Sequence, residues 1–304
     1  MVARNGGGCN GAPAGLERAG LVRSGGRAYL PAMSANFPFL ARPPRVSVLR
    51  LSGAIGAASR FGGGLNDAAL APLVERAFAV KPAAVALVIN SPGGSAVQSS
   101  LIASRIRRLA DDKKVPVHAF VEDIAASGGY WLACAADDIW IDRASLVGSI
   151  GVIAASFGLH DLIARNGVER RVHTAGRSKS FLDPFLPERP EDVARLRGIL
   201  DPIHAVFIEH VRTRRGARLN EGAGPLFEGD VWVGEAAVAA GLADGIGHIG
   251  PKLKALYGDK VRALPLGQRR PFWRRFGMAG LAEAAVDAAL TEGETRALRA
   301  RYGL

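Results

Sequence analysis

Two glycine-rich segments, each placed soon after an apolar run, constrain the fold of this chain more than any other feature. The run Val85–Ile89 is continuous and apolar, as in a parallel strand buried on both faces, and it is followed by Asn90–Gly94. A helix-like stretch, Val97–Leu109, and a second predicted strand, Val115–Val121, then lead to Ser127. This alternation predicts an α/β fold. It places both glycine segments after the carboxyl ends of neighbouring strands, where open α/β sheets carry their sites.

Ser127 is a candidate nucleophile because of the residues that follow it. Gly128 and Gly129 come next, and the apolar run Tyr130–Ala136 predicts a buried helix that begins at this point. The free N–H groups at the start of a helix favour negative charge, which suits the intermediate of an acyl transfer. Each segment by itself also has a structural interpretation, because small residues allow close packing and Ser-Pro-Gly-Gly is a common turn at the end of a strand.

Four ordered blocks of sequence lie within the region Val46–Gly250: Asn90–Gly94, Ala126–Tyr130, Gly148–Val152 and Ala175–Lys179. Together they resemble the signal peptide peptidase A family of serine proteases, and more distantly ClpP and the crotonase fold. The resemblance implies an α/β fold built as a ClpP/crotonase-like spiral of ββα units with parallel sheets. Each block occurs once, as in the short, single-domain members of the family.

The resemblance implies a role for five residues. Ser127 would be the nucleophile and Lys179 the general base of a Ser-Lys dyad, with Ser149 holding the lysine amine towards the nucleophile. The backbone N–H groups of Gly94 and Gly128 would form the oxyanion hole, where glycine lets the backbone approach a substrate. A serine hydroxyl needs a base because it is a poor nucleophile until its proton is removed.

Other interpretations of these positions rest on the residues alone. Without the resemblance, Lys179 would be a solvated surface charge and Ser149 a turn serine between two strands. Lys179 follows a predicted strand, Val168–Thr174, and precedes a predicted helix, Glu191–Arg215, which is expected to cross the active-site face. No histidine has a spacing to an acid that singles out a triad, and each is interpreted as structural or surface: His118, His160, His173, His204, His210 and His248.

The formal net charge of +11 raises the question of nucleic-acid binding. The basic residues are dispersed and no DNA- or RNA-binding motif is present, so no nucleic-acid partner is predicted. One tight basic-aromatic cluster, Arg269–Phe276, precedes a weakly apolar helical stretch, Met278–Leu290. Such a tail suits peripheral contact with an anionic membrane, and it equally suits a solvated tail or a helix that docks on a sister subunit.

Composition divides the chain into three parts. Residues 1–44 have scattered glycine and arginine without an apolar period, so they are predicted to be a disordered extension, with Met33 as an alternative translational start. Residues 45–260 form the predicted peptidase domain and residues 261–304 the tail. There is no run of about eighteen apolar residues and no secretion signal. A cytoplasmic location is therefore predicted, with the tail as the candidate for contact with a membrane surface.

The two cysteines give no sign of a metal site. Cys9 and Cys134 have no metal-ligand spacing and form no convincing disulfide framework. No metal and no cofactor are therefore predicted. Cys134, in an apolar helix, is interpreted as a small core residue.

Three classes of function remain open. The first is a serine endopeptidase that cleaves extended peptides such as signal-peptide remnants. The resemblance to short family members implies a homo-oligomeric ring for it, in which Ser127 of one chain faces Lys179 of its neighbour. The second is a crotonase-type acyl-CoA enzyme, which needs catalytic acids, and Glu122 and Asp123 are the nearby candidates. The third is an inactive scaffold of the same fold.

Overall fold

The computed structural model describes residues 43–56, 64–176, 179–267 and 300. The predicted extension up to residue 42 and most of the predicted tail, including Arg269–Phe276 and Met278–Leu290, lie outside the described residues. The helices and strands of the described residues are, in chain order, β1 (Arg45–Ser52), α1 (Asp67–Ala79), β2 (Ala84–Ser91), α2 (Ala96–Lys113), β3 (Val117–Ala126), α3 (Gly128–Ala133), β4 (Asp138–Ile141), β5 (Leu146–Gly148), α4 (His160–Arg165), α5 (Pro190–Arg215), β6 (Val231–Val233), α6 (Gly234–Ala239), β7 (Gly245–Ile246), α7 (Ile249–Tyr257) and β8 (Arg262–Leu266).

The strands join into one sheet that is mostly parallel. Its main order is β6-β5-β3-β2-β1-β8. Off this path, β4 pairs with β3, and β7 pairs with β4. Strands β1, β2 and β3 pair in parallel and are connected by α1 and α2, as successive βαβ units require. Among the described strands, the pair of β5 and β6 alone is antiparallel. The predicted α/β class with parallel strands is therefore confirmed.

Strand β3 changes partners along its length. Its first part, His118–Val121, pairs with β4, and its last part, Ile124–Ala126, pairs with β5. Between these parts the register against β2 shifts, so that a step of two residues on β2 spans four on β3. Such an irregularity bends a strand. One strand thus carries both branches of the sheet, as the predicted ββα spiral requires, and it ends directly before Ser127.

Helices cover both faces of the sheet. On one face α1, α2, α3 and α5 enclose the main apolar cluster, in which Phe78 and Tyr130 are fully buried. On the other face α7 places Leu253 in a smaller cluster with Phe120. Strand β2 is buried on both faces, which explains its continuous apolar sequence. Cys134 is fully buried in the main cluster, so its interpretation as a core residue is confirmed.

The predicted helices 97–109 and 191–215 are present as α2 and α5, but one predicted strand needs correction. Residues 168–174 form no strand, because no described strand lies beside them to complete a hydrogen-bonded ladder, and Val168 and Val172 are exposed. Strand β8, which begins just after the predicted domain boundary at residue 260, pairs in parallel with β1. Within the described ranges, no helix has both the length and the apolar character needed to cross a membrane.

Candidate active site

Ser127 occupies a sharp turn between β3 and α3. Its backbone angles are φ 50° and ψ −120°, in the left-handed half of conformational space that non-glycine residues avoid. The Ser127 N–H donates to the Gly148 carbonyl at 2.8 Å, and the Trp131 N–H donates to the Ser127 carbonyl at 3.0 Å. The Ser127 hydroxyl does not cap α3. The turn therefore fixes the backbone and leaves the hydroxyl for other chemistry.

Gly93 and Gly94 form a loop that packs against this turn. At Gly93, with φ 101°, a Cβ would lie 2.8 Å from the Ser127 Cβ and from the Gly128 nitrogen. At Gly94, with φ 142°, a Cβ would lie 1.9 Å from the Ile55 carbonyl oxygen. Both positions therefore require glycine. The contact of Gly93 with the Ser127 turn was not predicted from the sequence, which pointed to Gly94.

The backbone amides of Gly94 and Gly128 make no hydrogen bond to a described residue. Gly128 is the first residue of α3, where an N–H has no partner within the helix. The loop is held by its neighbours instead, because the Ile55 N–H donates to Gly93 at 2.8 Å and the Ser95 N–H donates to Ile55 at 2.7 Å. Two unoccupied donors beside a serine are the geometry that an oxyanion hole needs.

Close packing also requires glycine at both positions after Ser127. A Cβ at Gly128 would lie 2.4 Å from the Ser99 Oγ of α2, and a Cβ at Gly129 would lie 2.3 Å from the Ser91 carbonyl oxygen of β2. The first turn of α3 thus packs directly on the end of β2 and on α2. This close approach brings the two glycine-rich segments of the sequence together.

Ser149 lies beside the same backbone. It follows Gly148, the residue whose carbonyl accepts from Ser127, and its own N–H donates to the Asp230 carbonyl at 2.7 Å. Its φ is 51°, so it too is a non-glycine residue in the left-handed region. The hydrogen bond from Ser127 to Gly148 therefore connects Ser127 to the residue directly before Ser149, and both serines have strained backbone angles.

Lys179 is not joined to these residues. Its side chain is exposed, and no hydrogen bond or ion pair connects the Lys179 amine to Ser127 or to another described residue. The Lys179 N–H donates to the Gly176 carbonyl at 3.2 Å, within a turn. Between Gly151 and Arg189 nearly every described side chain is exposed or only partly buried. Lys179 thus lies on a segment that adds almost nothing to the core of its own chain.

The described histidines make their contacts elsewhere. His118 lies between the Asp138 carboxylate, 2.8 Å away, and the Tyr257 hydroxyl, 2.6 Å away, at the opposite end of β3 from Ser127. His204 and His210 donate from Nε2 to backbone carbonyls, and burial lowers the pKa of His210 to about 4. No histidine forms a hydrogen bond with Ser127 within the described residues.

The two candidate acids of the crotonase-type alternative are engaged by neighbouring strands. Glu122 accepts from Arg50 at 2.5 Å, and Asp123 accepts from the Asn90 amide at 2.6 Å. These contacts tie β3 to β1 and β2 at its bend. In the described part of the chain, no cluster of three or more His, Cys, Asp or Glu side chains could hold a metal ion.

A buried ion pair supports α3 from behind. Arg215 of α5 is almost fully buried and pairs with Asp244 at 2.6 Å, while the Tyr130 hydroxyl of α3 donates to the Leu242 carbonyl at 2.8 Å. Burial alone would raise the pKa of Asp244, but the hydrogen bond from Arg215 holds that pKa below its usual value. Burial raises the pKa of the neighbouring Cys134 thiol to about 12. This region is therefore a packed support and carries no reactive thiol.

Residues 109–257, which carry Ser127, Ser149 and Lys179, match the family model described as peptidase family S49. This region of the chain is a peptidase family S49 domain. Relatives of the chain include a protein named Na(+)/H(+) antiporter NhaA from Brucella abortus, which is 45% identical over 279 residues, or 88% of this chain. A chloroplastic serine protease SPPA from Arabidopsis thaliana is 31% identical over 214 residues, or 67% of this chain.

The chain spans 38% of the length of the first relative and 31% of the second. Among solved structures, it is similar to a membrane-bound stomatin-specific protease in complex with a substrate peptide. That similarity has a TM-score of 0.47 and 14% identity, and it covers 83% of this chain and all of the other. The S49 domain and the protease relative support a serine peptidase.

Proposed function

We propose that this chain is a serine endopeptidase in which Ser127 attacks the peptide carbonyl and Lys179 is the general base. The neutral lysine amine takes the Ser127 proton as the Oγ–C bond forms, and the carbonyl oxygen becomes an oxyanion. The amides of Gly94 and Gly128 donate to that oxyanion. The C–N bond then breaks, the leaving amine takes the proton from the lysine, and water hydrolyses the acyl-enzyme by the same route.

The observation that carries this proposal is the Ser127 turn. A nucleophile at a strand-to-helix turn with positive φ, packed against Gly93 and flanked by two unbonded amides, has the arrangement that acyl transfer uses. Backbone strain of order 1–3 kcal/mol persists only where the surroundings impose it, and it concentrates at functional sites. A purely structural turn would use glycine at this position.

A serine-directed fluorophosphonate probe tests the nucleophile. We expect labelling at Ser127, located by peptide mass spectrometry. The Ser127→Ala variant should lose both this labelling and the hydrolysis of a peptide substrate. Ser52→Ala, at the exposed end of β1, is the matched control and should label like the wild type. Peptide hydrolysis at the wild-type rate by folded Ser127→Ala would contradict the assignment.

We also propose that Lys179 serves a neighbouring copy of the chain. This is supported by the segment that carries it, where Ile153 is 65% exposed, Phe157 is 82% exposed and Leu162 is 58% exposed. Large apolar side chains exposed together are typical of surfaces that another chain covers. A ring of identical subunits brings different surfaces into contact, so the lysine of one subunit can face the serine of the next.

Mixing two inactive variants tests the shared site. Ser127→Ala subunits retain Lys179, and Lys179→Ala subunits retain Ser127, so mixed oligomers should regain activity at the interfaces where both residues are intact. The isolated monomer should be inactive. If subunit exchange is verified by mass and the mixture stays inactive, the shared site is excluded.

For the substrate we propose extended peptides such as signal-peptide remnants. Ser149 is assigned to orienting the lysine amine, so Ser149→Ala should reduce the rate less than Ser127→Ala does. Mass spectrometry of the new N-termini produced from a peptide library would identify the cleavage preference. A library left intact by enzyme that is labelled at Ser127 would contradict endopeptidase activity.

An acyl-CoA reaction is one of the two alternatives from the sequence, the other being an inactive scaffold of the same fold. Glu122 and Asp123 are paired with Arg50 and Asn90, which does not favour them as catalytic acids. Turnover of CoA thioesters without fluorophosphonate labelling would support that alternative. The name of the Brucella relative is that of a transporter, but the matched family model and the protease relative favour a peptidase for this chain.

A further inference from the structure

Helix α5 connects the parts of the proposed site. It begins at Pro190, eleven residues after Lys179, and its first half is partly exposed. Its second half enters the core, where Phe207, Val211 and Arg215 are almost fully buried. One helix therefore runs from the lysine-bearing segment to the back of the nucleophile helix α3.

Two histidines of α5 hold the backbone next to the two strained serines. His204 Nε2 is 3.1 Å from the carbonyl oxygen of Ile150, the residue after Ser149. His210 Nε2 is 3.2 Å from the carbonyl oxygen of Trp131, the residue whose N–H donates to Ser127. A carbonyl oxygen can only accept, so Nε2 carries the proton in both rings.

Packing strengthens the second of these attachments. The Trp131 ring stacks on Phe207 with centroids 4.7 Å apart and on His210 with centroids 5.1 Å apart. Arg214 donates from Nε to the Cys134 carbonyl at 2.8 Å. The carbonyls at the end of α3 are therefore bound by side chains of α5, which prevents α3 from shifting along its axis.

Ser127 and Ser149 have φ angles of 50° and 51°, and neither relaxes to an ordinary conformation. Such strain is retained only when surrounding contacts over-determine it. The contacts from α5 are well placed to do so, since each lies within one residue or one hydrogen bond of a strained serine.

We propose that His204 and His210 are positioning residues that hold the Ser149 turn and the Ser127 helix on α5, and thereby keep the nucleophile in its reactive geometry. This inference rests on the proposed function, because it requires Ser127 to be the nucleophile. It assigns no proton transfer to either histidine. Both act through backbone carbonyls and touch neither substrate nor the reacting atoms.

Glutamine and asparagine variants test the hydrogen bonds. A glutamine amide nitrogen can occupy the place of a histidine Nε2, whereas asparagine is one carbon shorter and does not reach the carbonyl. In the full-length chain, His204→Asn and His210→Asn should each slow fluorophosphonate labelling of Ser127 by about five- to tenfold. The Gln variants should stay within about twofold of the wild type. His248→Asn, at an exposed histidine, is the control and should not change the rate.

The readouts separate positioning from general loss of structure. Peptide assays of the Asn variants should show a lower kcat with an unchanged KM, at an oligomer mass equal to that of the wild type. Equal labelling rates for Gln and Asn variants, or a change in KM alone, would overturn the inference while the peptidase proposal stands. A wild-type protein that is not labelled at Ser127 would overturn the proposed function itself, and the inference with it.

Discussion

Gly93→Ala is expected to displace Ser127, the proposed nucleophile, without unfolding the chain. Gly93 has φ 101°, and an added Cβ would lie 2.8 Å from the Ser127 Cβ and the Gly128 nitrogen. Ordinary van der Waals contact begins at 3.4 Å, so the two sides must separate by 3.4 − 2.8 = 0.6 Å. Neither contacted atom is the far end of a flexible side chain. The backbone of the Ser127 turn therefore has to move.

The size of this movement sets the expected effects. A misplacement of about 1 Å can lower an enzymatic rate about hundredfold, so a movement of 0.6 Å predicts a loss of about tenfold or more. A left-handed alanine costs about 1–2 kcal/mol, and overpacking adds about 1–3 kcal/mol. The free energy of unfolding should therefore fall by about 2–5 kcal/mol.

A second glycine separates the two effects. Gly258 has φ 85°, and nothing lies within 4 Å of a Cβ added there. Its ψ is 164°, in a region of conformational space that is almost restricted to glycine, so Gly258→Ala should lose only a backbone contribution of about 1–3 kcal/mol and should keep full reactivity. Urea unfolding measures stability, and the rate of fluorophosphonate labelling at Ser127 measures reactivity. Equal labelling rates for the two alanine variants would refute the packing argument.

Three further predictions concern the support behind α3. Burial lowers the pKa of His210 to about 4, so the unfolded chain binds the extra proton and stability falls as the pH drops through the range from about 6.5 to 4. Between pH 7 and pH 5 the free energy of unfolding, measured in urea, should fall by about 2 kcal/mol more for the wild type than for His210→Gln. Arg215→Met leaves Asp244 buried without its main partner and should cost about 3 kcal/mol, measured in the same way. An effect no larger than that of an exposed ion pair would contradict this view of Arg215. Because burial raises the pKa of Cys134 to about 12, a thiol reagent at pH 8 should modify a Cys9→Ser variant only after denaturation, and rapid modification of the folded protein would be inconsistent with that burial.

The sequence predicts a strand or helix best where buried residues recur regularly along it. Strand β2 is buried on both faces, so its apolar run was visible, and α5 showed its helical period over 26 residues. The run Val168–Thr174 is equally strand-like in sequence, yet no strand among the described residues lies beside it. Pairing depends on distant segments, and a local pattern does not contain that information.

The candidate site, like the fold, was predictable from local patterns but not from contacts between distant segments. The Ser127 turn was visible because glycine and serine precede an apolar helix, and the loop of Gly93 and Gly94 was visible for a similar reason. The contact between Gly93 and Ser127 was not, because it depends on the angle at which two loops meet. The roles of His204 and His210 left no signal either, since a hydrogen bond to a distant backbone carbonyl requires no particular residue at its acceptor end.

The conformation of Ser127, the proposed nucleophile, also limits which side chains could replace it during evolution. At φ 50° a β-branched side chain is a severe outlier, so threonine would be excluded even though it offers the same hydroxyl. Cysteine has the shape of serine and would fit the turn. During evolution, single substitutions could therefore exchange serine and cysteine at such a site. A threonine nucleophile would require a different backbone conformation at the end of β3.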